Sequence, residues 1–378
     1  MHIAFNAWFW DQPHTGSGQY LRQLVTALTK LKAELRLTLV IPTHAQAEDI
    51  PTGVEVVQAS AWGGGDLGKV WFEQRAYSAA VKRLRADIAH VPYWAGPLNS
   101  SARLVISILD VIPLAIPAYS GGLRAKLYTS LVTASAQGAG HILTLSHASQ
   151  ADITRYIGIP AEQITVTPLA ADERFSAVPQ AGDEAVRQKY YLPDEFALYL
   201  GGFDLRKNVN TLLLAWTYVG QPMGQQVPLV LAGRPPQQWG TSLFPDLPDY
   251  ARQLKIDPYL IWVGAIDEAD KPALYRLAKV FIYPSHYEGF GLPILEAMAS
   301  GTPVVAANST SIPELTGEAA YLVDPENARD MAGAILALLV QDDLHHSLAN
   351  AGRGQATQFN WRKTAQATLE VYQQVMKA

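Results

Sequence analysis

Two glutamates, Glu288 and Glu296, bracket the glycine-rich turn Gly289-Phe290-Gly291-Leu292 inside PSHYEGFGLPILEAMASGTPVV, residues 284–305. Pro293 suits a first helical position, where a missing N–H costs nothing. Gly301 and Pro303 mark the stop before an apolar strand at Val304-Val305-Ala306. The free N–H groups of Gly291 and Leu292 then point out of a helix N-terminus, a ready place for a phosphate. Glu288 precedes that place and Glu296 follows in the first turn. Like charges repel, so these carboxylates make poor phosphate ligands and good acceptors for the hydroxyls of sugars attached to the phosphate. A nucleotide sugar presents sugar, diphosphate and ribose in that order, and the spacing reads as a site for one.

A second glycine turn follows another apolar run. Gly201-Gly202 lets backbone come close to a ligand, and Arg206 and Lys207 supply two positive charges, the guanidinium matching phosphate bidentately. Near the start, Gly16-Ser17-Gly18-Gln19-Tyr20-Leu21 lacks the third small residue of a dinucleotide fingerprint. The next strand also ends at Pro42-Thr43 without an acidic ribose ligand, which disfavours a dehydrogenase. His90 and Trp94 end a strand of the same half and are candidate acceptor contacts, with a structural role for His90 equally open. Trp8, Phe9, Trp10, Tyr93 and Trp94 gather at two strand ends, either as a platform for sugar C–H faces or as core. Arg234 and the Val263–Ile266 turn are candidates for a base pocket. No Asp-x-Asp occurs and the histidines are scattered, so no metal ligand set is read; Arg206, Lys207 and the helix dipole stand in its place.

Alternating strands and helices must position these residues. Short apolar runs at His2–Ala7, Arg36–Ile41, Ile88–Val91, Leu104–Leu109, His141–Leu145 and Ile164–Thr167 read as strands of a first half. Phe196–Leu200, Leu229–Ala232, Ile261–Val263, Val280–Tyr283 and Val304–Ala306 read as strands of a second. Such runs between amphipathic helices predict parallel sheets covered on both faces. The expected fold class is α/β, two Rossmann-like doubly wound domains facing across a cleft. The boundaries are 1–178, 179–359 and a terminal helix at 360–378 capped by Asn360, with Ser176–Asp183 as linker. Ligands of such sheets sit outside the carboxyl ends of the strands, so all three glycine-bearing turns are expected to line the cleft.

Composition narrows the classes. The 378 residues are 49% hydrophobic and 17% charged, which suits soluble cores. The formal charge of −5 divides into about +1 before residue 178 and −6 after it, and argues against nucleic-acid binding. Lys82, Arg83 and Arg85 are candidates for peripheral contact with anionic lipid, or else a solvated helix end. The absence of cysteine excludes disulfides, thiolate zinc sites and cysteine nucleophiles. No signal peptide is read at Met1-His2-Ile3-Ala4-Phe5. The apolar stretch Leu104 to Ala118 is broken by Asp110, Pro113 and Pro117, too short to span a bilayer. A cytoplasmic protein, peripheral at most to the membrane's inner face, is the expectation.

The E-G-F-G-L-P-x-L-E-A-M-A-x-G-T-P-V-V run resembles the E-x7-E signature of retaining glycosyltransferases of the GT-B fold, family 4. So do Thr15–Tyr20, Thr144–Ser149, Gly201-Gly202 with Arg206-Lys207-Asn208, and Ile312-Pro313-Glu314. The nearest resemblance is to the branch of bacterial O-antigen mannosyl- and rhamnosyltransferases. It implies a retaining transfer of a hexosyl group from a nucleotide diphosphate sugar, GDP-mannose or similar, to a saccharide or lipid-linked saccharide, with no cofactor. By resemblance, Arg206 and Lys207 hold the diphosphate, Glu296 the ribose hydroxyls and Glu288 a hydroxyl of the transferred sugar. Gly16 and Gly18 approach the donor diphosphate and the acceptor, and the terminal helix crosses back to the first domain. Asp110 sits where the family has His-Asp, with Leu109 in place of the histidine. Ser146 and Ser149 match its S-x-x-S turn, read as a helix cap. Two rival readings stay open: a sugar-nucleotide epimerase on the same scaffold, and a non-catalytic nucleotide-sugar-binding subunit, which Leu109 favours.

Overall fold

Short runs three to seven residues long become the strands of two all-parallel sheets in the computed structural model, which describes every residue except 32, 63, 64 and 378. The first sheet holds β1 (His2–Asn6), β2 (Arg36–Pro42), β3 (Val54–Ala59), β4 (Ile88–Val91), β5 (Arg103–Ser107), β6 (His141–Thr144) and β7 (Ile164–Val166). Its spatial order is β3-β2-β1-β4-β5-β6-β7. The second holds β8 (Ala197–Leu200), β9 (Leu229–Ala232), β10 (Leu260–Gly264), β11 (Val280–Tyr283), β12 (Val304–Ala307) and β13 (Tyr321–Val323), in the order β10-β9-β8-β11-β12-β13. Each expected run forms a strand. β3 and β13 were not expected; both are edge strands, β3 largely exposed along its length and β13 three residues long.

The chain divides into two compact units, residues 1–169 with 360–378, and residues 170–359. Within the first, the helix Trp361–Lys377 starts at Asn360, whose Oδ1 accepts from Lys363 N at 2.9 Å. It buries Ala365, Leu369, Val371 and Tyr372 on one face, and packs along the helix Gly16–Thr29. Within the second, the helix Val209–Met223 lays Leu212, Leu213, Trp216 and Val219 onto the sheet, where they join Leu229, Leu231 and Val280 in one apolar core. The expected linker, 176–183, is fastened to this unit. Arg276 donates from Nε to Asp183 Oδ2 at 2.9 Å and from Nη1 to Ser176 O at 3.2 Å. Its Pro, Ala and Gly content looks loose, but a bidentate arginine holds it.

Strand order reverses at one place in each sheet, between β1 and β4 and between β8 and β11. Loops leaving such neighbours run to opposite sides and open a crevice at the carboxyl ends. In the second unit those two loops carry Gly201–Lys207 and Glu288–Leu292, and the register Val280 to Ala197 and Phe281 to Leu198 sets them side by side.

Candidate functional site

The loop after β8 closes in a short 3-10 turn at Leu205–Lys207, and Asn208 turns the chain into the following helix at φ 54°. Asn208 Nδ2 donates to Pro284 O at 3.1 Å and Pro325 O at 2.8 Å, tying that turn to the loop after β11. His286 N donates to Arg206 O at 2.9 Å. The two loops are thus stitched by backbone before any charge is considered.

The charges then meet. Arg206 Nη1 lies 2.9 Å from Glu288 Oε2 and donates to Tyr287 O at 2.8 Å; Lys207 Nζ lies 2.6 Å from Glu288 Oε1. Side-chain exposures of 13%, 12% and 11% make this a nearly buried triad with two cations and one anion. Lys207 also donates to Tyr283 Oη at 3.1 Å and stands 5.1 Å over its ring. Burial raises the Glu288 carboxyl, but Lys207 and Arg206 outweigh it and hold the group down to about 2. Lys207 is pulled below its ordinary value by burial and by Arg206, against the opposing pull of Glu288. Asp204, its side chain 17% exposed, places Oδ1 3.7 Å from Arg206 Nε, so the two cations are balanced by two carboxylates in a poorly hydrated place.

Next to the triad the helix Leu292–Ala299 begins at Gly291, whose φ of +107° a side chain rarely adopts. Ser311 Oγ donates to Glu288 O at 2.9 Å and Phe290 O at 3.0 Å, and Glu288 N donates to Thr310 Oγ1 at 3.0 Å. Thr310 itself sits at φ 45°, an outlier for a β-branched residue that costs about 1–3 kcal/mol. Glu296 is placed differently from Glu288. It lies in the second turn of the helix, 6% exposed, and accepts from Tyr275 Oη at 3.0 Å. Burial pushes it up to about 7, with Lys271 opposing. One carboxyl is thus held ionised and the other is poised near neutrality.

Gly201 N donates to Ala232 O at 3.0 Å, and Gly233 N to Gly264 O at 2.8 Å. The exposed Arg234 and half-buried Ile266 therefore follow adjacent strand ends, β9 and β10. Gly202 is exposed at the mouth of the β8 loop, and Gly289 and Leu292 are half-buried beside the triad.

In the first unit the expected residues fare unequally. An added Cβ on Gly18 would stand 2.1 Å from Gln12 O, so only glycine fits; Gly16 has nothing within 4 Å. Thr15 Oγ1 caps that helix by accepting from Gly18 N at 3.1 Å. His90 requires correction as an acceptor contact. It is 0% exposed, with Nδ1 2.5 Å from Tyr372 Oη and Nε2 2.8 Å from Ser107 Oγ. Burial lowers it to about 3, and a neutral imidazole fills the core. Asp110 Oδ1 accepts from Ile112 N at 3.1 Å and anchors the turn after β5. Trp94 is half-buried, while Trp10 is core, 1% exposed, with Nε1 donating to Glu48 O at 2.8 Å. Ser146 caps the helix His147–Ile157 by accepting from Ser149 N at 3.0 Å.

The sequence reading missed Tyr275, Tyr283, Thr310 and Ser311. Tyr283 was legible, as the last residue of the strand that feeds the motif. The other three act through chain separations of about twenty residues that no local pattern reveals.

Comparison with known proteins agrees with this geometry. The family described as Glycosyl transferases group 1 matches residues 183–355, and Glycosyltransferase Family 4 matches residues 14–175. The O-antigen chain mannosyltransferase B of Escherichia coli is 33% identical over 302 residues, covering 79% of this chain and 77% of that protein. The serotype-specific mannosyltransferase WbdA of Escherichia coli is 27% identical over 319 residues, covering 81% of this chain, which spans only 39% of WbdA's length. Among solved structures, sucrose-phosphate synthase from Thermosynechococcus elongatus superposes with a TM-score of 0.76 at 22% identity, covering 100% of this chain and 99% of that one. WaaG, a glycosyltransferase involved in lipopolysaccharide biosynthesis, gives 0.75 at 16% identity over 98% and 99%. The two parallel-sheet units, the matches spanning both and the mannosyltransferase relative carry one conclusion: the chain belongs to the family 4, group 1 glycosyltransferases of the GT-B fold, an enzyme of nucleotide-sugar-dependent glycosyl transfer.

Proposed function

We propose that this enzyme moves a hexosyl group, mannose first among the candidates, from a nucleotide diphosphate sugar such as GDP-mannose to a hydroxyl of a saccharide or lipid-linked saccharide, with retention and without a metal ion. The Arg206–Glu288–Lys207 triad at the β8/β11 strand reversal is the observation that supports the reading most. The names of the Escherichia coli relatives support mannose.

In this reading the second unit, 170–359, holds the donor. The diphosphate lies against Arg206, Lys207 and the N–H groups at Gly291 and Leu292, with Gly201, Gly202, Gly289 and Phe290 shaping the approach. As the glycosidic bond breaks, negative charge grows on the departing diphosphate. Two fixed cations in a dry place stabilise that charge without a divalent ion. Glu296 accepts from the ribose hydroxyls, Arg234 and Ile266 border the base, and Glu288 meets a hydroxyl of the transferred sugar while aligning both cations. The first unit, 1–169 with 360–378, binds the acceptor beside Trp94 and Asp110.

No residue of the sequence stands out as a glycosidase-type nucleophile; in this reading the acceptor attacks the face the leaving group departs from. The donor phosphate takes the acceptor's proton. Exposed Lys82, Arg83 and Arg85 give the first unit an electrostatic contact for anionic lipid at the inner membrane face, where a lipid-linked acceptor resides. No helix among the described residues is long and apolar enough to cross a membrane.

The test is transfer from GDP-mannose and UDP-glucose, with proton NMR reading the anomeric configuration of the product. A product with the donor's configuration supports the proposal. An inverted product, or a trapped glycosyl adduct on Asp110 or Glu288, contradicts it.

A further inference from the structure

A buried ion pair in the first unit has no part in the donor chemistry. The helix Gly65–Trp71 widens into a π turn at Phe72–Ala76 and continues as Tyr77–Leu84. Such turns insert one residue and are frequent at functional sites. Here the turn carries Glu73, 0% exposed, and one turn earlier Lys69, whose side chain is 26% exposed. Lys69 Nζ lies 3.6 Å from Glu73 Oε1 and 5.1, 5.5 and 5.4 Å from the ring centres of Phe9, Tyr93 and Tyr128. Tyr128 Oη donates to Glu73 Oε1 at 3.2 Å and Oε2 at 3.1 Å. Tyr93 Oη donates to Asn6 Oδ1 at 2.9 Å. Asn6 Nδ2 and Trp94 Nε1 are buried donors without partners, groups a bound hydroxyl would satisfy.

The place matters as much as the chemistry. Asn6 ends β1, and Tyr93 and Trp94 follow β4, the strands between which the first sheet reverses its order. A hydrophobic pair of similar volume would stabilise the fold as well as a buried ion pair does, so the pair is not needed for packing. It matches a single ammonium with a carboxyl and does not gather the several cations a diphosphate needs. Polar groups for vicinal hydroxyls beside aromatic faces for C–H surfaces are what a saccharide needs.

We propose that Lys69, Tyr128 and Trp94, aligned by Glu73, Tyr93 and Asn6, form the subsite that recognises hydroxyls of the acceptor sugar. This rests on the acceptor role given to the first unit above. Lys69 opens to solvent and reaches the sugar; Glu73 is a positioning residue that acts through Lys69 and Tyr128. Burial raises Glu73 to about 7, opposed by Lys69, Tyr128 and Tyr93, and Asp66 acts on Tyr128.

The experiment compares Lys69→Met, Lys69→Arg, Tyr128→Phe and Glu73→Gln with the unaltered enzyme. The donors are GDP-mannose and UDP-glucose, and the acceptors are octyl glycosides of mannose, glucose, galactose and N-acetylglucosamine. Loss of one charged hydrogen bond should raise the acceptor KM about tenfold or more in K69M and E73Q, partly rescued in K69R, with donor KM nearly unmoved. Saturation-transfer NMR on the same glycosides, which needs no donor, should lose its sugar-proton contacts in K69M. Unchanged acceptor KM or unchanged contacts, with only a lower melting temperature, would overturn the subsite and leave a structural ion pair. Failure of the donor reading looks different: the unaltered enzyme would then neither hydrolyse nor transfer either nucleotide sugar.

Discussion

The two strand reversals, β1/β4 and β8/β11, are built on the same topology and equipped in opposite ways. At β8/β11 the chemistry is compact: two cations and the carboxylates of Glu288 and Asp204 mostly sealed from water, a helix tip, and the Glu296 carboxyl in the second turn of that helix. At β1/β4 it is spread over aromatic rings and a single ion pair contributed by a neighbouring helix. A diphosphate demands concentrated positive charge, and concentrated charge demands a short, rigid loop pair. A sugar hydroxyl demands only a few dipoles, which many scaffolds supply. The first kind of site leaves a contiguous signature in sequence; the second does not.

The largest effect that would break the comparison comes from Glu288→Ala. Removing the carboxylate takes the ion-pair partner from the mostly buried Lys207 and leaves Arg206 only Asp204, at 3.7 Å, and stability should fall by about 3–5 kcal/mol, with turnover lost. Added nucleoside diphosphate should then raise the melting temperature more in this variant than in the unaltered enzyme, because it supplies the missing anion. An equal rise in both would separate the triad from the donor.

Glycine requirements give the next test. Gly18→Ala would press a methyl group into Gln12 O and Phe9 O, and should cost about 3 kcal/mol in chemical denaturation. Gly16→Ala meets nothing and should stay within about 0.5 kcal/mol. Equal effects would mean the loop is set by something other than close backbone approach.

The smallest effect is in pH. Glu296 and Glu73 are both pushed up to about 7 from an ordinary 4.5. Between those values the native protein keeps protons that the unfolded chain has released. This contribution is complete below about pH 4.5 and is lost as pH rises through 7, a change of about 1–3 kcal/mol each. Glu288 runs the other way: its contribution is present above pH 4.5 and lost as pH falls towards 2. Melting curves between pH 5 and 8 should show the decline, and E296Q should flatten its share. If ionised Glu296 holds the ribose, nucleotide affinity should also weaken as pH falls below 7, and that dependence should vanish in E296Q.

How much was legible follows the same division. Apolar runs bounded by turn residues announced the buried strands, and the E-G-F-G-L-P-I-L-E run announced a helix start. β3 escaped because an exposed edge strand with Glu55 and Gln58 facing out lacks a buried run's signal. His90 stayed open between an acceptor contact and a structural role because its partner Tyr372 lies 282 residues away on the terminal helix. Segment 176–183 looked like a linker because nothing local reveals Arg276, 93 residues beyond Asp183. The Lys69–Glu73 pair had the spacing of an ordinary surface pair on a helix, and only the sheet beneath it shows that one member is buried.

Arg206 and Lys207 are the groups proposed to hold the donor's diphosphate. Calorimetric titration of GDP, UDP and ADP into the unaltered enzyme and into Lys207→Ala tests this most directly. The account predicts that the tightest of the three loses about a hundredfold in affinity in the variant, as for a buried charged contact, and that its affinity for the unaltered enzyme weakens with salt. Equal affinity in both proteins would contradict it.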